Sequence, residues 1–110
     1  MKEIVLNLDF ADGTYKSCEM PGEDLIVLIN SWDDRIIKVT FHNTIGFIYK
    51  IGSFVSGLYE ITNDPFQKEV LALYYENTPN NHPFKTFAIR DIEDSNFFEV
   101  VAERVSAIKV

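Results

Sequence analysis

Asp64-Pro65-Phe66-Gln67-Lys68-Glu69-Val70-Leu71-Ala72-Leu73-Tyr74-Tyr75-Glu76-Asn77-Thr78-Pro79 is the stretch whose reading decides the fold. It reads as one helix over about residues 64–77. Asp64 stands at the cap, and Pro65 falls at the first helical position, where its missing N–H is no loss. Gln67 at N3 completes a capping-box pattern. Phe66, Val70, Leu73 and Tyr74, flanked by Leu71, form an apolar stripe at helical spacing, with Lys68, Glu69, Ala72 and Glu76 opposite. On either side the pattern turns β-like, as in Ile36-Ile37-Lys38-Val39-Thr40-Phe41 and Phe97-Phe98-Glu99-Val100-Val101. The order β, helix, β predicts an α+β fold: a mainly antiparallel, curled sheet of about six to eight strands with the one helix packed on it.

Upstream of the helix, Ile4, Leu6, Leu8 and Phe10 alternate with Glu3, Val5, Asn7 and Asp9, which predicts a strand over residues 3–10. Asp12-Gly13 reads as a hairpin turn with both residues at positive φ. The returning strand covers residues 15–20 and ends at Pro21-Gly22. Leu25-Ile26-Val27-Leu28-Ile29 fits a buried strand or a helical turn; its short length and β-branching favour strand. Asp33-Asp34 is a tight turn into a strand over residues 35–42, and Asn43-Thr44 is a second turn. Phe47, Tyr49 and Ile51 then alternate with Ile48 and Lys50, and residues 54–61 form a short strand or an irregular return. After the helix come a strand over residues 84–92, a loop of hairpin length at 93–96, and a long final strand over 97–110. Its apolar phase wavers around residues 105–108, the mark of a bulge or bend.

At 110 residues the chain is a single domain, 1–110. It is long enough to bury roughly two-thirds of its unfolded surface without a metal or disulfide to staple it. The one cysteine, Cys18, has no internal partner. No signal-peptide pattern is present and no apolar run approaches the ~20 residues of a membrane span, so a cytoplasmic location is expected.

The net charge is −7, and residues 9–34 alone carry −6, while residues 35–90 carry +2. No basic stripe exists for nucleic acid, and an anionic membrane surface is disfavoured on the same ground. The acidic stretch permits a basic protein partner; the plainer reading is that it keeps the protein soluble.

No catalytic constellation is visible. His42 and His82 lack the short ligand spacings of a metal site, and Cys18 stands beside Glu19, which raises a thiol pKa. Asp33-Asp34 and Glu93-Asp94 fit turns better than a proton-sharing dyad, and Glu99 with Glu103 reads as a solvated strand face. Gly46, Gly52 and Gly57 make no phosphate loop. No cofactor, metal or catalytic residue is therefore expected. Trp32, beside Asp33 and Asp34, has the character of an interface anchor, although core packing is the commoner role. With Glu23 and Asp24 from the acidic stretch, and Tyr75 at the helix end, these six residues are the candidate partner-binding set.

The segment Ser31-Trp32-Asp33-Asp34-Arg35-Ile36-Ile37-Lys38-Val39-Thr40-Phe41, about a tenth of the chain, resembles a motif in small immunity proteins of bacterial polymorphic toxin systems. Those families include compact acidic α+β domains with a tryptophan–acid pair near a central strand. The resemblance implies a protein that binds and blocks a cognate toxin. The leading expectation is thus a non-enzymatic binding domain of inhibitor or immunity type. The alternative is a small-ligand-binding or accessory domain, with Phe47, Tyr49, Phe54, Tyr59 and Phe87 lining an apolar pocket. An enzyme ranks last. The long C-terminal strand, if it lies at an edge, offers a route to a homodimer.

Overall fold

The computed structural model describes residues 1–4 and 6–110. Among them nine strands make two antiparallel sheets, and one helix packs on the outside. The strands are β1 (Lys2–Glu3), β2 (Thr14–Glu19), β3 (Leu25–Asn30), β4 (Ile36–His42), β5 (Gly46–Tyr49), β6 (Val55–Ile61), β7 (Lys85–Asp91), β8 (Asn96–Ala102) and β9 (Arg104–Lys109); the helix is α1 (Pro65–Tyr74). One sheet runs β1-β6-β7-β8-β5 and the other β2-β3-β4-β9. The α+β class and the antiparallel pairing are as read from the sequence, with the curl resolved into two sheets.

Two chain segments cross from sheet to sheet side by side. β4 passes into β5 through residues 43–45, and β8 passes into β9 through Glu103. Glu103 N–H donates to His42 O at 3.0 Å and Ile45 N–H to Val101 O at 2.9 Å, so the two segments stay paired through the bend. Asn43 takes a left-handed conformation there (φ 56°), which asparagine tolerates better than most residues. The break in the final strand thus falls at Glu103, just ahead of the wavering phase at 105–108. Beyond it Val105 and Ala107 regain the core while Arg104, Ser106 and Ile108 face out.

The core lies between the sheets. Alternate residues of β3 and β4 (Leu25, Val27, Ile29; Ile37, Val39, Phe41) meet Leu58, Phe87, Ile89, Phe98 and Val100 from the other sheet. Burying such side chains is worth roughly 1.5–3 kcal/mol each before the entropy of ordering them.

The first strand is much shorter than its alternation implies. β1 holds only Lys2 and Glu3; Ile4 N–H still donates to Leu58 O at 2.8 Å, and further on Asn7 is left-handed (φ 58°). Ile4, Leu6, Leu8 and Phe10 still pack on the core; Val5 lies outside the described residues. The Asp12-Gly13 turn exists, closed by Gly13 N–H to Phe10 O at 3.2 Å, but of the two only Asp12 is left-handed (φ 60°). It joins no hairpin. β1 pairs with β6 and β2 with β3, so the turn carries the chain between sheets. Gly13 bridges to Val55 instead, and a Cβ there would sit 2.8 Å from Ile29 Cγ2, which explains the glycine.

α1 begins at Pro65 as read but ends at Tyr74, with Tyr75 already extended (ψ 142°). No capping box forms. The Asp64 side chain makes no cap hydrogen bond, and the Gln67 amide donates to Phe84 O at 3.4 Å. The buried stripe is also rotated. Val70 and Leu71 press on Val101 and Phe84, while Leu73 is 84% and Tyr74 56% exposed. Gly46 of β5 lets the helix sit this close, because a Cβ there would lie 2.8 Å from both Val70 methyls. Leu73 and Tyr74 are left lining a groove with Ile45, Phe47 and Phe66. No helix of the described residues is long and apolar enough to cross a membrane.

Candidate functional site

The six candidate residues fall in three places. Trp32, Asp33 and Asp34 share the β3–β4 hairpin. Glu23 and Asp24 stand at the opposite end of β3, roughly 20 Å away for a six-residue strand. Tyr75 lies on the outer face of the other sheet, half-buried against Phe84 at a centroid distance of 6.2 Å, and Tyr74 rather than Tyr75 is the exposed tyrosine. The acidic stretch is divided in the same way. Because Thr14 pairs with Asn30, Asp12 lies at the Trp32 end, and because Glu19 pairs with Ile26, Glu19 lies near Glu23 and Asp24.

The hairpin end is the best-built of the three. Ser31 N–H donates to Arg35 O at 2.7 Å and Asp34 N–H to Ser31 O at 3.1 Å, with Asp34 left-handed at φ 63°. Trp32 is 64% exposed, so it is not core. Lys109 of β9 places its Nζ 5.7 Å from the Trp32 ring centroid and 2.6 Å from Asp33 Oδ2. The Lys109 ammonium holds the Asp33 carboxyl below the usual carboxylate range. One lysine thus lies beside the indole and neutralises its neighbour, leaving Asp34 and the exposed Arg35 as the charges the hairpin offers.

At the other end, Asp24 Oδ1 accepts from Asn43 N–H at 3.0 Å and Oδ2 lies 3.7 Å from His42 Nδ1. His42 Nε2 in turn meets Ser106 Oγ at 2.7 Å. Acid, imidazole and hydroxyl stand in the order of a hydrolase triad, which sequence reasoning missed because Ser106 lies 64 residues from His42. The surroundings are those of a brace. Ser106 sits mid-strand on the open face of the four-stranded sheet, and the β4–β9 register gives its N–H to Thr40, leaving that group unable to stabilise an oxyanion. The chain of contacts ties the β2–β3 connection to β4 and β9.

A second pairing invisible in the sequence joins Asp64, before α1, to Glu99 on β8. Asn96 Nδ2 donates to Glu99 Oε1 at 3.2 Å, and Asp64 Oδ2 is buried with no hydrogen-bond partner. Burial first, then the Asp64 carboxyl beside it, raises the Glu99 pKa above its ordinary value, against the pull of Asn96 and Lys50. Glu103, which alternation set on the same face, lies at the bend and borders a different cleft with Arg104 and Lys2. A carboxyl with a raised folded-state pKa holds its proton longer in the folded chain. Its contribution to stability is complete below the unfolded pKa and is lost as pH rises through the folded value. Glu99→Gln, neutral at every pH and still able to donate, is therefore expected to match the parent Tm in acid and exceed it near neutrality. Melting curves across pH check this; a lower Tm for the variant at neutral pH would contradict it.

The five aromatic residues expected to line one pocket do not meet. Tyr49 and Phe54 border a cleft of about 300 Å³ at the open seam between the sheets, with Thr14, Tyr15, Gly52 and Ser53. Phe47 lines the groove beside α1, Phe87 is buried 6.0 Å from Phe41, and Tyr59 lies under the Arg90 guanidinium at 5.8 Å. In the seam, Tyr15 packs 4.7 Å from Tyr49 and 5.6 Å from Phe98. Burial, reinforced by a hydrogen bond with Cys18, pushes the Tyr15 hydroxyl up to about 12, so it stays protonated at physiological pH. Among the described residues no group of three or more His, Cys, Asp and Glu side chains is placed to hold a metal ion.

Compared with known proteins, the chain matches no family model, no curated protein and no solved structure at a significant level.

Proposed function

We propose that the chain is a non-enzymatic protein-binding domain of inhibitor or immunity type, which takes a basic, toxin-like partner at the β3–β4 hairpin in the cytoplasm. One observation carries the reading: Trp32 is held out in solvent by a hairpin that is already locked. Lys109, over the ring at 5.7 Å and against Asp33 at 2.6 Å, favours one placement of the indole before any partner arrives. A large aromatic ordered in advance loses little entropy on binding, and tryptophan is over-represented among the residues that dominate interface energies. Asp34 beside it and Asp12 at the same end, offset in part by the exposed Arg35, supply the negative charge that speeds encounter with a basic surface. Glu23, Asp24 and Tyr75 are too far away to join this contact.

The test is a pull-down of the tagged chain from host lysate with two variants alongside. A stoichiometric basic partner, released by salt, is expected. Trp32→Ala should weaken it at least roughly thirtyfold, the scale of a hot-spot residue. Asp34→Lys should slow association at low salt and leave dissociation nearly unchanged. A partner held equally well by Trp32→Ala, or no partner at all, sinks the proposal. The seam cleft favours a second reading, a small apolar ligand lodged beside Tyr49 and Phe54. Its volume is at the low end for such sites, so it ranks behind.

A further inference from the structure

Each sheet has two edges, and among the described residues three of the four edge strands are defended. β1 is two residues long and charged, β2 is bulged around Lys16, and β9 carries Arg104 and Lys109. Shortness, bulges and charge are the devices that keep sheet edges from pairing with other chains. β5 is short, but its sequence Gly46-Phe47-Ile48-Tyr49 is regular and uncharged, with a charge only beyond its end at Lys50.

Its hydrogen-bonding phase can be read off. Lys50 N–H donates to Phe97 O at 2.8 Å, in the same register as Ile48↔Glu99 and Gly46↔Val101. Antiparallel ladders alternate between bonded and non-bonded positions. Gly46, Ile48 and Lys50 therefore direct their main-chain groups to β8, and Phe47 and Tyr49 present theirs to the open edge.

We propose that this edge is a dimerisation surface, at which β5 pairs antiparallel with β5 of a second copy about a two-fold axis through Ile48. In that register Phe47 faces the partner's Tyr49 twice over, giving four main-chain hydrogen bonds and two aromatic cross-strand pairs. The two Ile48 side chains meet at the axis as a non-bonded pair. The residues are self-complementary, as an isologous contact requires. The area sets the strength. Phe47, Ile48 and Tyr49 are each about two-fifths exposed, Ile51 is 94% exposed, and Leu73 and Tyr74 flank them on α1. At those exposures the strip offers on the order of 600 Å² per chain, the low end of specific interfaces and the size of a weak, concentration-dependent dimer. Each chain carries −7, so salt that screens their repulsion tightens the dimer. Salt acts the opposite way on a basic partner at the hairpin, which keeps the two proposals separable.

Sedimentation velocity over the micromolar range is the experiment. The expected result is a mass rising with concentration from 12.7 kDa toward twice that value, and more steeply in added salt. Ile48→Lys sets two ammonium groups on the axis and should hold the chain at 12.7 kDa with an unchanged circular dichroism spectrum. Facing residues of a non-bonded pair have Cα atoms about 4.5 Å apart, within disulfide reach. Ile48→Cys in a Cys18→Ser background should therefore oxidise to a covalent dimer, and Ser106→Cys on β9 in the same background should not. The cysteine pair decides the matter even if Ile48→Lys fails to fold. A chain that stays monomeric at every concentration overturns the proposal. So does a dimer that survives Ile48→Lys, or one that cross-links through Ser106→Cys.

Discussion

Replacing Phe98 by alanine is expected to lower the unfolding free energy by about 3–5 kcal/mol, the range for deleting a buried aromatic side chain. Phe98 is fully buried, and its ring is where the seam and the core join. It lies 4.9 Å from Tyr49, 5.6 Å from Tyr15, 5.8 Å from Phe97 and 6.4 Å from Phe47. Three of those rings belong to the free edges of the two sheets, so the void left by the missing ring cannot be filled without moving β2 or β5. A domain of this size has about 5–15 kcal/mol in total, so the variant stands near the unfolding threshold. Urea titration reads the effect as a fall in midpoint with an unchanged slope. A loss below about 1 kcal/mol would mean that the seam collapses easily and that the aromatic cluster is not the joint between sheets.

What the sequence disclosed and what it hid divide by distance along the chain. The helix start was legible because Asp64-Pro65 is a local signal, and β3 and β4 because alternation is local too. The rotation of α1 was not, since the buried stripe is chosen by Gly46 and Val101 beneath it rather than by the helix's own spacing. The partition into two sheets was hidden for the same reason. Asp12-Gly13 specifies a turn, but nothing near it says that β2 turns to β3 and β1 to β6. The candidate site follows the rule. Trp32, Asp33 and Asp34 are adjacent and were found together. Lys109, which locks them, stands at the other end of the chain, and neither His42 with Ser106 nor Asp64 with Glu99 has any local cue. Glu23 and Asp24 were grouped with Trp32 by net charge alone, and a six-residue strand holds them apart.

Asp91→Ala is expected to bring the second large loss, with an acid signature that distinguishes its cause. Asp91 ends β7 with only 2% of its surface exposed, and it is not idle. Its Oδ1 accepts from Glu93 N–H at 3.0 Å and Ser95 N–H at 2.9 Å, and its Oδ2 from Ser53 N–H at 3.1 Å. One carboxylate thus closes the β7–β8 hairpin and pins to it the segment that leads into β6, where Phe54 O also accepts from Ile92 N–H. Alanine removes the one charged acceptor of three backbone donors, and although Glu93 and Ser95 are exposed enough for water to replace part of the loss, bonds to a charged group are among the stronger ones. A fall in Tm of roughly 10 °C or more is expected for a domain of this length. The backbone N–H groups of Ser95 and Ser53 lower the Asp91 pKa below the ordinary carboxylate value, because they bind only the ionised form well. The sign follows from linkage: a depressed folded-state pKa stabilises fully above the unfolded pKa, about 3.9, and the benefit is lost as pH falls through the folded value. Parent and Asp91→Ala should therefore differ most at neutral pH and converge in strong acid, the same pH course as Glu99→Gln but with the opposite sign, since here the variant is the less stable at neutrality. Melting curves of the two variants and the parent over one pH series test both at once. A Tm gap for Asp91→Ala that stays constant down to strong acid would assign the loss to packing and remove the carboxylate from the account.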